Sequence, residues 1–149
     1  MTTDSASRVT DNTAPSVNER IRRQTDERVA QAAASGPEAT AARLTDLDYE
    51  WDVERCLETG ASGLCLVGLT LGATVNRRWY LLPTVVTSFL LQHALQGWCP
   101  PLPVFRRLGV RTRDEINEER FALKALRGDF QQINVGGAGA ALQAVRGDH

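Results

Sequence analysis

The chain has 149 residues, 17 Lys and Arg against 18 Asp and Glu, a net charge of -1 and three cysteines. No basic excess exists and no aromatics interleave with the basic residues, which argues against nucleic acid as a partner. Cys56, Cys65 and Cys99 are too few for a disulfide framework and match no zinc spacing; neither metal nor cofactor is expected.

Taken in order, residues 1–15 are rich in Thr, Ser, Asp and Asn, with almost nothing to bury, and are expected to be disordered. No basic n-region followed by an apolar core marks a cleavable leader. From Ser16, with Glu19 at the capping-box position, a marginal helix with a thin apolar stripe (Val17, Ile21, Val29, Ala33) runs to about Ala34. Together, 1–36 form an N-terminal arm.

Pro37 suits the first residue of a second helix, expected over 37–58. On it Asp46, Glu50, Glu54 and Glu58 recur every four residues, an acidic stripe along one face. This stripe is either a solvated face or a partner for Arg106, Arg107, Arg111 and Arg113.

The central stretch, 59–98, carries the strongest pattern. No Asp, Glu, Lys or Arg occurs from Thr59 to Val75 or from Trp79 to Phe105. The expected fold is an all-α membrane protein: a two-helix antiparallel transmembrane hairpin with spans 59–75 and 80–98, a turn at 76–79, and flanking cytoplasmic helices. Spans near 17 to 25 residues suit a bilayer of about 30 Å. In the first span Ala61, Cys65, Gly68 and Gly72 share a face for close helix packing. In the second, Thr84, Ser88, Gln92 and Gln96 form a polar stripe expected to turn toward that face or toward a second copy. Trp51 and Trp98 mark one interface, Trp79 and Tyr80 the other. His93, ionisable within a span, is expected to bond Ser62 or a neighbouring copy.

Beyond Cys99, the prolines of Pro100-Pro101-Leu102-Pro103 predict an extended exit over 99–111. Thr112-Arg113-Asp114-Glu115 opens an amphipathic helix over 112–128 with Gly128 as its cap. The tail, 129–149, is read as flexible with a short helix; Val135–Ala140 is a Gly/Ala linker. Ala122–Asp129 recurs as Ala141–Asp148, each copy ending in Arg-Gly-Asp and read as a helix end. Basic residues near the span ends place both termini in the cytoplasm by the positive-inside rule.

Glu54-Arg55, the glycines Gly60 and Gly68, Gly97-Trp98-Cys99-Pro100 and Leu108-Gly109-Val110 resemble the two-helix membrane domain of the YgaP-type family. The resemblance covers about Trp51 to Thr112 and implies a bacterial inner-membrane hairpin that dimerises. Members are often joined to a rhodanese sulfurtransferase. No rhodanese portion is recognisable here, so sulfurtransferase activity is not carried over.

No catalytic constellation is recognisable, and no enzymatic activity is expected. The leading expectation is a self-associating anchor or interaction module whose partners are the lipid bilayer, further copies (a homodimer or higher homo-oligomer) and a protein bound through the cytoplasmic arms. The alternative is thiol or sulfur handling through Cys99, with Cys56 at similar depth in an antiparallel hairpin, as a candidate thiol site for sulfur or a soft metal.

Overall fold

The structure, a computed structural model, describes residues 7–131 and 133–146; the side chains at 133–136, 143, 144 and 146 lie outside that description. Every regular element among the described residues is helical: α1 (Arg8–Asp11), α2 (Pro15–Ser35), α3 (Pro37–Tyr49), α4 (Val53–Thr74), a 3-10 turn (Arg77–Tyr80), α5 (Leu81–Gln96), α6 (Leu102–Arg107), α7 (Arg113–Arg127) and α8 (Ile133–Arg146). The described residues up to Ile21, with Trp51–Arg113, form one compact unit; Arg22–Glu50 and those from Asp114 onward form the other.

In the first unit, Asp52 caps α4 by accepting a 2.7 Å hydrogen bond from the Arg55 amide. The 22 residues of α4 extend about 33 Å. The chain reverses through Asn76, whose side chain accepts from the Arg78 amide, and α5 returns along α4. Gly68 and Gly72 are buried, and a methyl group on them would lie 2.5 Å from Pro83 Cδ and 2.7 Å from the Tyr80 ring. Half-buried Ala61 and Cys65 complete that face, as their spacing implies. The α5 face toward it carries Pro83, Val86, Leu90 and His93, alternating by three and four.

Thr84 and Ser88 are exposed, which leaves them away from α4, and their hydroxyls bond the carbonyls of Tyr80 and Thr84 within α5; Gln92 is half-buried. Three expectations for this unit are corrected. The acidic stripe is divided, since Glu50 and Asp52 have extended backbone and end one helix before the next begins. The proline exit is helical in part, because Pro101 already has helical φ and Pro103 sits in the first turn of α6, where a missing N–H costs nothing. Residues 7–15 are ordered, with Val9 buried beside Val53, Leu57, Cys99 and Leu102; residues 1–6 lie outside the description.

Among the described residues one helical stretch, within Pro37–Thr74, is long and apolar enough to cross a membrane, and its apolar part is α4. At 16 residues, α5 is shorter than a span by itself.

In the second unit, Val29 and Ala32 of α2, Leu44 and Leu47 of α3, and Ile116 and Leu123 of α7 share a core. Glu119 is 0% exposed within it. It accepts from Arg43 Nε at 2.7 Å and lies 3.5 Å from Arg28 Nη1. Arg120 donates to the Leu47 carbonyl and Asp48. The end of α7 is a Schellman cap: Gly128 has φ +91°, its amide donates to Ala125 O, and the Asp129 amide reaches Lys124 O. The Gly/Ala linker lies inside α8, which is kinked at Gly137. The second Arg-Gly-Asp copy extends beyond the described residues.

Candidate functional site

The chemistry-bearing residues of the first unit gather where α4 begins and α5 ends. Gly97 stops α5 in the left-handed conformation, φ +74°, with its amide on His93 O at 2.7 Å. The chain then turns through Cys99 into α6. Gly109, φ +88°, lets it turn back so that the Arg111 carbonyl accepts from the Val53 amide at 2.9 Å. The exit is thereby tied to the first turn of α4, and Arg113 Nε adds a 3.0 Å bond to Asp52 Oδ2.

Across this mouth lies the N-terminal segment. Arg8 donates to Glu54 Oε1 at 3.2 Å and to Ala94 O at 3.3 Å, and Asn12 donates to Gln96 O at 2.9 Å. A methyl group on Gly97 would meet Arg8 O at 2.5 Å, so only glycine admits the segment this closely. Arg106, 0% exposed, donates to Thr13 Oγ1, Asn18 Oδ1 and Val110 O and so joins the segment to the exit. Of the four arginines expected to face the acids, Arg113 pairs with Asp52, which lies off the stripe.

Glu54 is the shared acceptor. Its Oε2 lies 3.0 Å from His93 Nε2, with His93 2% exposed. A carboxylate only accepts, so Nε2 carries the proton and donates. His93 Nδ1 is buried without a partner among the described residues. The expected bond to Ser62 is replaced by this one, since Ser62 is exposed. Because Nδ1 bonds no sulfur, His93 and Cys99 do not form the hydrogen-bonded pair that nucleophilic catalysis uses.

Cys56 and Cys99 face one cavity of about 270 Å³, otherwise lined by apolar residues that include Leu57, Ala61, Phe89 and Phe105. Burial pushes both thiols above the ordinary value. Asp52 adds to the effect at Cys56 and Arg55 opposes it; at Cys99 the Leu102 amide opposes it and Glu54 adds to it. Both are therefore neutral thiols near pH 7. Cys65 faces elsewhere, its Sγ 3.9 Å from Pro83 O.

The expected interfacial aromatics are open to the surroundings: Trp51, Trp79 and Tyr80 are exposed and Trp98 is half-buried. Arg55 lies over the Trp51 ring at 4.3 Å.

The chain matches no family model, no curated protein and no solved structure. Sequence reasoning passed over Arg8, Asn12, Thr13, Asn18 and the burial of Arg106. A short polar N-terminal segment gives no periodic signal, although Val9 was available as an apolar anchor within it.

Proposed function

We propose that this protein is a non-catalytic membrane anchor of the bacterial inner membrane: a helical hairpin that self-associates and holds cytoplasmic helical arms for a protein partner. One observation carries the reading. The hairpin is apolar on its outside, with Leu66 66% and Leu95 73% exposed and Leu64, Val67, Val85 and Leu91 also open, while its inner seam is built on glycine. An apolar exterior of this extent needs lipid or protein cover. The 3-10 turn lengthens the second arm of the hairpin toward a full span, and Arg77 and Arg78 sit at the tight end.

The resemblance to the YgaP-type domain supports this reading through roles. Glu54, Gly97 and Gly109 each have a structural task at the mouth. Exposed Thr84 and Ser88, whose hydroxyl protons are used within α5, offer acceptor oxygens to a second copy, and half-buried Gln92 an amide, each such bond contributing about 0.6 kcal/mol. Alkaline carbonate extraction tests the anchor: retention in the pellet is expected, and release into the supernatant overturns it. Crosslinking through a cysteine at Ser88 tests self-association.

The second reading, sulfur handling through Cys99, is favoured by the two thiols on one cavity. Their neutral state weighs against a nucleophilic relay. A Cys99 that takes no sulfur from a persulfide donor would dispose of it.

A further inference from the structure

The cavity between Cys56 and Cys99 has no task in anchoring. Its wall is carbon and sulfur: Leu57, Gly60 and Leu64 from α4, Val86, Phe89 and Leu90 from α5, then Pro100, Pro101 and Phe105, with the two thiols set into it. We infer that this cavity is a binding site for a soft, thiol-seeking metal ion held by two sulfurs, one from each arm of the hairpin at its open end.

The donor set selects the ion. Calcium and magnesium need six or more oxygens, and the wall presents no oxygen-bearing side chain. Zinc needs a tetrahedral set of N, S or O ligands, and no three of His, Cys, Asp or Glu converge as a metal set among the described residues. Two thiols suit ions that accept linear two-sulfur coordination, the class of Hg(II), Ag(I) and Cu(I).

Charge favours a divalent member of that class. Two thiolates neutralise Hg(II), so the complex enters an apolar cavity without a net charge to bury. The balance is one Hg(II) plus two protonated thiols giving one bis-thiolate complex and two protons. Two sulfur–metal bonds form, two S–H bonds break, and no oxidation state changes. A cysteine thiol is ordinarily protonated at neutral pH and binds a metal as the thiolate, so both protons leave on binding.

The site does not depend on the membrane reading, and carbonate extraction and metal binding therefore fail separately. Cys65, bonded toward Pro83 O and absent from the wall, is the internal control.

The test uses the full reduced chain carrying Cys65→Ser, in detergent, titrated with Hg(II) chloride. One ion per chain, two protons released per ion, and protection of both Cys56 and Cys99 from maleimide are expected. Cys56→Ser should weaken binding by on the order of a hundredfold, because chelation by the second thiol is lost, and should release one proton per ion. Cys56 is only half-buried, which makes this the variant least prone to misfold; circular dichroism checks its helices. Two ions per chain, one on each thiol, overturn the proposal, as does unchanged affinity in Cys56→Ser.

Discussion

His93 Nε2 lies 3.0 Å from Glu54 Oε2, pairing an almost fully buried imidazole near the end of α5 with a carboxylate in the first turn of α4. The same carboxylate receives Arg8, so one side chain holds three segments together. Replacing Glu54 by Ala leaves the Nε2 donor buried and unpaired and releases Arg8, at a cost of about 1–3 kcal/mol. Glu54→Gln keeps an acceptor and should lose less. Chemical denaturation in detergent measures both, and equal stability of Glu54→Ala and the parent would remove the carboxylate from this role.

Gly68→Ala places a methyl group 2.5 Å from Pro83 Cδ, against a rigid ring. The hairpin must spread, costing about 1–3 kcal/mol as overpacking does. Gly60→Ala and Gly63→Ala meet nothing within 4 Å. These two should leave stability unchanged or raise it slightly, since alanine favours a helix. Thermal unfolding of the three variants separates close packing from a general intolerance of side chains on α4.

Glu119 is fully buried with Arg43 and Arg28 against it. Glu119→Ala empties a buried site and removes an acceptor from Arg28 and Arg43, which are themselves part-exposed, and Arg43 keeps Glu50, so the cost is about 1–3 kcal/mol. The loss should appear as melting of the second unit, followed by fluorescence or hydrogen exchange at α3 and α7. A Glu119→Ala chain whose α3 amides stay as protected as before would contradict this.

Arg127 donates to both carboxylate oxygens of Asp129, and this hydrogen bonding holds the Asp129 carboxyl below its ordinary value, against a smaller opposing effect of burial. A depressed folded-state pKa contributes stability that is fully present above the ordinary carboxylate value and lost as pH falls through the depressed one. Unfolding measured from pH 6 down to about pH 2 should therefore show a stability loss that Asp129→Asn abolishes. An identical acid profile in the variant would count against the link.

Backbone chemistry was the most legible part of the chain. Pro37 opens α3, Gly128 ends α7, and Asn76-Arg77-Arg78 reverses the hairpin, each through a conformational preference confined to a few residues. The packing of Gly68 and Gly72 was legible from their four-residue spacing, because one helix face is set by local geometry. Partners distant in sequence were not legible. Arg8 and Ala94 stand 86 positions apart, and nothing in the spacing of either points to the other. Spacing also left open which way the polar stripe of α5 turns, because hydroxyls at four-residue spacing can satisfy themselves on their own helix. That Cys56 and Cys99 line one cavity follows from an antiparallel return, which equates depth on its two arms.

The closure of the mouth by residues 7–13 bears on biosynthesis. The segment leaves the ribosome well before Ala94, Gln96, Cys99 and Arg106, which dock or surround it. Val9 therefore waits as an unburied apolar residue until the hairpin has turned and α6 has emerged. Such long-range closure is slow compared with helix formation, so sealing of the mouth follows hairpin assembly. A chain truncated before α6 would keep its hairpin seam and lose its seal, making the arrival of Arg106 the step that completes this unit.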